Sequence, residues 1–490
     1  MSSPTRGSGW ADAMGELVVL ATDACLFALL TFGAAFWIVA RRTEHLRAPW
    51  REVWRRPAAA GAATVLAAFM TVAVADSVRF RVHADRAAQD GSVEGEVLSV
   101  LDLWLTPLRT RVETTYSAPL ATHGYSRESV IDDAGGLRRV RPRLRYGGAH
   151  LADPARDRAG DVGRRALAGV AGGFMCGLFV GMLVTSREAR RRGCTFARAM
   201  HALARGDTAG AWRAYLVVFT LLAIAAGVCA ALGTHYHVLG TDKVGNDVLY
   251  QALKSIRTGI LIGSLTTLIS LPFALVLGIA AGYFRGLVDD IVQYLYTTLS
   301  SIPGVLLIAA SALMLDVYMA RHAADFEALA ARADLRLLAL CAILGITSWT
   351  SLCRLLRAEA LKLREIEFVV AAHSLGVRHH QVLRRHLLPN VMHIVTITTV
   401  LDFSGLVLAE AALTYIDIGV DPSMESWGNM INGARLELAR EPPVWWSLAA
   451  AMGFMFVLVL AANLFADAVR DAFDPRLRTQ AGAQPRTLHE

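Results

Sequence analysis

The chain has 490 residues, of which 54% are hydrophobic, and a mean hydropathy of +0.41, well above that of a soluble globular domain. Its apolar residues gather in nearly uncharged runs of about 18–25 residues, long enough to cross a bilayer as helix and lacking the polar stripe of a soluble core helix. The net charge of +7 does not point to nucleic acid, because the arginines lie beside apolar runs and no aromatic-basic platform for bases accompanies them.

Nine runs predict membrane helices, at 15–40, 58–76, 166–185, 213–232, 259–282, 292–316, 335–353, 391–415 and 444–466. Only Arg6 precedes the first as a basic residue, while Asp12 and Glu16 stand where a cleaved leader carries positive charge, so this run reads as a retained helix. Segment 41–57 holds Arg41, Arg42, Arg47, Arg51, Arg55 and Arg56, and segments 186–213 and 354–386 are as rich in arginine. Short arginine-dense loops stay in the cytoplasm, which places the N-terminus outside and the C-terminus inside. The polar stretch 77–165 is then periplasmic. Its early part, VEGEVLSVLDLWLTPLRTRVETTY, has helical apolar spacing, and its later part, DDAGGLRRVRPRLRYGGAHL, is rich in turn residues.

After the fourth run, Val248, Leu249, Ala252, Leu253 and Ile256 share one helical face, with Asn246 or Asp247 able to cap its start. The segment reads either as a helix lying on the outer membrane surface or as an amphipathic linker. Between the seventh and eighth runs, RAEALKLREIEFVVAAHSLGVRHHQVLRRHLLPN (357–390) predicts helix up to Leu375, a turn at Gly376 and a second helical segment up to Leu388-Pro389-Asn390. Ala371, Ala372 and Ser374 precede the turn, and small side chains there permit close approach by another protein; a solvated basic loop is the plainer alternative.

No catalytic or metal constellation stands out. Gly240 to Gly245 is followed by Asn246 and Asp247 rather than the Lys and Ser/Thr of a phosphate loop. His379, His380 and His386 lie in a basic loop without metal-ligand spacing, and the six cysteines contain no C-x-x-C pair and read as packing residues. Asp23, Asp402 and Glu410 fall inside apolar runs, where a bare charge is costly. Each reads either as a polar lining of a transport path or as a residue buried between helices, hydrogen-bonded or protonated by burial; the second reading is preferred for Asp23, and Asp402 and Glu410 remain candidates for the lining.

The 357–390 loop resembles the cytoplasmic E-A-A-x-x-x-G motif of binding-protein-dependent ABC importer permeases of the type I class. Ala371, Ala372, Gly376, Leu388 and Pro389 match its spacing, with Val370 at the glutamate position and His386 at an isoleucine position. Glu367, Phe368 and Val369 fit the form usual in the dipeptide, oligopeptide and nickel branch. GTDKVGNDVL, with Gly240, Thr241, Asp242, Gly245 and Asp247, resembles that branch's G-T-D motif. GYFRGLVDD (282–290) resembles its short turn, and 409–431 its late motif through Glu410, Gly419, Ser426, Trp427 and Gly428. Asp467, Arg470, Asp471, Asp474, Pro475 and Arg476 resemble its ending.

The resemblance covers about 213–477 and implies an all-α polytopic protein of the bacterial inner membrane, with a six-helix permease core at 213–477 and a tail at 478–490. Two helices with a basic loop (1–76), a periplasmic insertion (77–165), and a third helix with a basic linker (166–212) precede that core. It further implies a permease that is not itself an enzyme and binds no cofactor. Partners would be a second permease, two ATP-using subunits and a periplasmic solute-binding protein carrying peptides or a similar small solute. From the residues alone the rivals are an ion-gradient transporter or channel and a membrane sensor; the short segment after the last run speaks against the sensor.

Overall fold

The computed structural model describes residues 17–81, 97–131, 137–206, 210–322 and 329–473; the motif residues Asp474, Pro475 and Arg476 and the tail at 478–490 lie outside them. The chain begins with β1 (Leu17–Val18), α1 (Ala21–Arg42), α2 (Glu44–Val53) and α3 (Pro57–Ser77). A polar stretch follows, with β2 (Arg79–Arg81), β3 (Val97–Ser99), α4 (Val100–Trp104), α5 (Thr106–Arg109), β4 (Glu128–Ile131) and β5 (Leu137–Val140). Next come α6 (Pro154–Arg192), α7 (Phe196–Arg205), α8 (Trp212–Gly233), α9 (Val248–Phe284), α10 (Leu287–Ser301) and α11 (Gly304–Arg321). The remainder is α12 (Leu329–Ser348), α13 (Thr350–Arg364), α14 (Glu367–Ser374), α15 (His379–Val382), a π-helical segment (Leu383–Leu387), α16 (Leu388–Tyr415), α17 (Trp427–Arg435) and α18 (Trp446–Phe473).

Among the described residues nine helices are long and apolar enough to cross a membrane, and they coincide with the hydropathy runs but for one. The run at 292–316, expected as a single span, is two helices. Pro303 has no N–H and pushes the residue before it out of the α region; Ile302 accordingly takes φ −88°, ψ 129°. Only α11 of the pair has membrane-crossing length. The stretch at 248–256, expected as a surface helix or linker, is instead the start of the 37-residue α9. No glycine or proline interrupts Val248–Thr258, and Val248, Leu249, Ala252 and Ile256 are buried. Helix expected up to Leu375 breaks once, at Glu365–Ile366, between α13 and α14.

Two compact units divide the chain. The first comprises Met1–Leu26, Thr64–Ile260 and Pro422–Leu458, and the second Phe27–Ala63, Leu261–Asp421 and Val459–Glu490. In the first, β1, β2 and β3 form a small antiparallel sheet in which Phe80 faces both Leu17 and Leu98, and β4 pairs with β5 as a separate hairpin. α6 packs on α8 through Gly169, Gly173 and Gly177, one turn apart. A Cβ at Gly169 would lie 2.6 Å from the Gly227 carbonyl, and one at Gly173 would lie 2.6 Å from the Ile224 nitrogen. Apolar lipid gives helices no hydrophobic reason to associate, so close backbone approach supplies the contact.

Buried charge determines the rest of this unit. Arg257 is 2% exposed, and Asp23 opposite it is fully buried. Arg257 Nε donates to Asp23 Oδ1 at 3.0 Å and to Ser77 Oγ at 3.1 Å, while Nη2 donates to Thr22 Oγ1 at 2.7 Å and to the same carboxylate. Asp23 is thus the buried, hydrogen-bonded residue expected of it. Three residues before Arg257 on α9, Lys254 Nζ donates to Asp102 at 2.9 and 3.1 Å and lies 3.7 Å from Asp76. Asp102 also accepts from Ser99 N at 2.9 Å, closing a capping box that starts α4.

In the second unit the core joins Ala281 and Tyr283 of α9, Val292 and Tyr296 of α10, Leu356 and Ala360 of α13, and Val391 and Val395 of α16. Val369, Ala372 and Val382 of the 357–390 loop belong to the same core, so the loop is an extension of the helix packing.

Removing one partner of a buried ion pair strands the other charge, at about 3–5 kcal/mol. Arg257→Met should therefore destabilise the chain by that order, and Asp23→Leu/Arg257→Met should recover at least half of the loss. Unfolding midpoints in detergent read both; equal losses in the single and double variants would dismiss the pair as a stabilising link.

Candidate functional site

The G-T-D loop of the first unit is held from several sides. Thr241 Oγ1 accepts from Ser117 N at 2.7 Å and donates to the Thr115 carbonyl at 2.9 Å, and the Thr241 carbonyl accepts from Trp446 Nε1 at 2.9 Å. Asp242 Oδ1 accepts from Val244 N and Asn246 N, each at 2.9 Å, and Oδ2 from Gln251 at 2.8 Å. Asp247 Oδ1 accepts from Leu249 N at 2.9 Å and Tyr250 N at 3.3 Å, capping α9. Gly240 and Gly245 both have positive φ; Gly245, at +88°, passes directly under the Glu113 backbone, where a Cβ would overlap it. These carboxylates serve the protein's own backbone, which makes the motif a pin for the helix start.

Sequence reasoning missed the groups that meet this loop. His237 Nδ1 lies 2.8 Å from Asp247 Oδ2, and its Nε2 lies 3.4 Å from Glu113 Oε1, too loose for a regular hydrogen bond but close enough for charge attraction. Glu113 also accepts from the backbone N–H groups of Arg145, Tyr146 and Gly147 at 2.8–3.1 Å. Burial by itself would raise the Glu113 carboxyl, but His237 and those three donors outweigh it and hold it at about 2. Burial would likewise lower His237, yet Asp247 and Glu113 raise it to about 9. His237 is therefore an imidazolium at neutral pH, placed between two carboxylates.

The late motif is divided between the units. In the first, Trp427 is buried, its Nε1 donates to the Ala252 carbonyl at 3.1 Å and its ring covers Gly259. Gly428 follows in α17, whose N-terminus is capped by Ser426 Oγ accepting from Asn429 N at 3.0 Å. In the second, Glu410 is buried and accepts from Thr414 Oγ1 at 2.9 Å, and Gly419 closes against Thr414. Asp402, two turns earlier on α16, is half-buried.

The 357–390 loop has an inner and an outer face. Val369 and Ala372 are 1% and 7% exposed and pack inward, whereas Glu367, Phe368, Val370, Ala371 and Leu375 face out. Of the two alanines expected to admit a partner, then, one serves the protein's own core. Gly376 takes φ +73° with open space around it. A side chain would be excluded there by backbone conformation and not by crowding. Past the turn, Leu388 packs on the core and Pro389 opens α16. Pro389 cannot bond to the Arg385 carbonyl, and the preceding turn widens to π-helix over Leu383–Leu387.

One hydroxyl ties both limbs of this loop to a membrane helix. Tyr283, near the end of α9 and 2% exposed, places its OH 2.9 Å from His373 Nε2 on α14 and 2.9 Å from His379 Nδ1 on α15. Its carbonyl accepts from Arg364 at 2.6 Å, and beside it Arg357 grips Asp289 through two hydrogen bonds of 2.5 and 2.7 Å. The only trace in the sequence is a tyrosine in GYFRGLVDD and two histidines flanking Gly376; nothing in their spacing announces the meeting. Among the described residues no group of three or more His, Cys, Asp or Glu is arranged to hold a metal ion.

Two outcomes follow from this geometry. His237 is raised above its ordinary 6.5, so its stabilisation is full below pH 6.5 and fades as pH climbs through about 9. Glu113 is depressed from 4.5, so its contribution is full above that value and fades as pH falls toward about 2. Amide exchange over 113–118 and 237–247 should accelerate from pH 6.5 to 9 beyond the intrinsic chemical trend, and His237→Gln should abolish that excess. Tyr283→Phe keeps the ring and loses both hydrogen bonds, worth about 0.5–1.5 kcal/mol each; it should loosen residues 371–379 to limited proteolysis with little change in the unfolding midpoint. An unchanged cleavage rate would show that the hydroxyl does not hold the loop.

Known proteins share part of this sequence. The family described as binding-protein-dependent transport system inner membrane component matches residues 274–479. A putative peptide permease protein of Brucella suis is 31% identical over 242 residues, which are 49% of this chain and 73% of the relative. A glutathione transport system permease protein of Pectobacterium atrosepticum is 29% identical over 245 residues, 50% of this chain and 74% of the relative. An oligopeptide transport system permease protein of Bacillus subtilis is 27% identical over 242 residues, 49% and 72% of the two chains. With nine membrane-length helices among the described residues and a family match over 274–479, the chain belongs to the binding-protein-dependent transport system inner membrane components, as a permease subunit of an ABC importer.

Proposed function

We propose that this chain forms one half of the translocation path of an ATP-driven importer of small peptides, and that the 357–390 loop is the handle through which an ATPase subunit moves it. The observation that carries this reading is an exposed apolar apex on a rigid base. Phe368, Val370 and Leu375 are 44%, 48% and 83% exposed, while Val369, Ala372 and the Tyr283 hydroxyl fasten the same loop to the membrane helices. Burying Leu375 in a groove of a partner would contribute about 1.5–3 kcal/mol, in the manner of a short helix seated in an apolar cleft. When ATP draws two such partners together, a stiff loop passes that displacement to α9, α13 and α16 and shifts the balance between two helix packings.

The chain itself binds no cofactor in this reading; ATP is used by two partner subunits. A second, related permease completes the path, and a periplasmic solute-binding protein delivers cargo. The arginine-dense segments at 41–57, 186–213 and 354–386 favour the loop and the C-terminus in the cytoplasm, with the N-terminus in the periplasm. The relatives include permease proteins of glutathione, oligopeptide and dipeptide transport systems, which supports peptides as the cargo class. Asp402, half-buried on α16, is the better candidate for a polar path lining. Glu410 is buried and engaged by Thr414, which suits holding the helix end.

A β-branched residue at positive φ is strained by about 1–2 kcal/mol, whereas asparagine tolerates it. Gly376→Val should therefore lower both ATPase co-purification and peptide uptake about tenfold. Gly376→Asn should stay close to wild type, and both variants should insert normally. Full uptake in the valine variant would remove the loop from the coupling mechanism.

A further inference from the structure

The arginine-dense linker between the first two spans takes no part in the 357–390 loop. α1 ends at Arg42, α2 covers Glu44–Val53, and α3 begins at Pro57. One residue separates α2 from the first membrane-length helix and three separate it from the second. At roughly 3.5 Å per residue, that leash keeps α2 within about 10 Å of the end of each span, and so at the membrane surface.

α2 has two faces. Pro49 and Val53 are buried and Trp50 half-buried, with Trp50 against Phe473 and Phe465 at ring-centroid distances of 5.8 and 6.4 Å. Arg47 and Arg51 of α2, four residues apart, and Arg55, two residues past its end, are exposed. They share a shallow hollow of about 500 Å³ with Ala48 and Glu52, the single acidic residue lining it. Arg56 is neutralised by Asp471 at 2.5 Å, but among the described residues no carboxylate pairs with Arg47, Arg51 or Arg55. Trp37, Trp50 and Trp54 form a cluster with centroids 5.7–6.4 Å apart, and the Arg41 guanidinium lies 4.7 Å from the Trp37 ring centroid. Tryptophan of this kind settles at the headgroup level of a bilayer.

We propose that Arg47 and Arg51 of α2, with Arg55 just beyond its end, bind the phosphate headgroups of anionic membrane lipids. A guanidinium offers phosphate a planar fork of donors, and each arginine close to an anionic surface strengthens attachment about fivefold. The buried face meanwhile fixes α2 against the end of α18, so the three guanidinium groups are presented in a fixed row. Headgroups bound there would hold the first two spans in register with the membrane surface.

Native mass spectrometry of the full-length chain in detergent, titrated separately with phosphatidylglycerol and phosphatidylcholine, tests this. The wild type should retain phosphatidylglycerol preferentially. Arg47→Gln/Arg51→Gln/Arg55→Gln should reduce that preference at least about tenfold, whereas the corresponding triple lysine variant should keep most of it. Equal phosphatidylglycerol retention by the wild type and the glutamine variant overturns the proposal, as does a wild type with no preference between the two lipids. A glutamine variant that keeps its lipid but loses a co-purifying protein would also overturn it, assigning the face to a protein partner.

Discussion

A charge taken out of water has to be met by an opposite charge and by hydrogen bonds, and the first unit is organised by that requirement. Arg257 and Lys254 stand three residues apart on one helix, and each draws a distant part of the chain to it. Asp23 and Ser77 come to Arg257, from the first and second spans. Asp102 and Asp76 come to Lys254, from the polar stretch and the end of α3. Glu113, His237 and Asp247 repeat the pattern at the start of the same helix. The N-terminal additions are thereby fastened to the segment that carries the G-T-D motif, and they are not loose appendages to it.

The 357–390 loop follows a different logic, in which strength and exposure are separated by face. Val369, Ala372 and Val382 join the helix core, while Phe368, Val370 and Leu375 are apolar without being covered. Leu375, 83% exposed, stands at the tip of the turn. Gly376 makes that tip by supplying a backbone conformation, and Tyr283 keeps the two limbs on either side from spreading. A loop so built joins a base packed into the helix core to an uncovered apex, which is what the proposed coupling role requires.

The same chain handles basic residues in two ways. Arg257 and Arg357 are consumed by internal acids, whereas Arg47 and Arg51 on α2 and Arg55 just after it are left exposed. Composition alone makes no distinction between them; burial of the neighbouring face does.

By itself the sequence determined the solvent class of each segment and the places where helix must stop. Runs of apolar residues demand hydrocarbon or protein around them whatever their partners, so the nine membrane-length helices were legible from hydropathy, as were the glycine turn at 376 and the helix start at Pro389. Local chemistry also offered Asn246 or Asp247 as the cap of α9, and Asp247 is the one that caps it. Where local signals competed, the sequence was less decisive: Pro303 divided a run that hydropathy read as continuous, and the amphipathic start of α9 merged into the span behind it. Only the tertiary structure decided which charges meet, that Ala372 turns inward while Ala371 turns out, and that one tyrosine hydroxyl spans the two limbs of the loop. Hydropathy and helix-breaking are properties of a few consecutive residues, but a pairing between Asp23 and Arg257 depends on where two helices 234 residues apart come to rest, and no short stretch of chain contains that information.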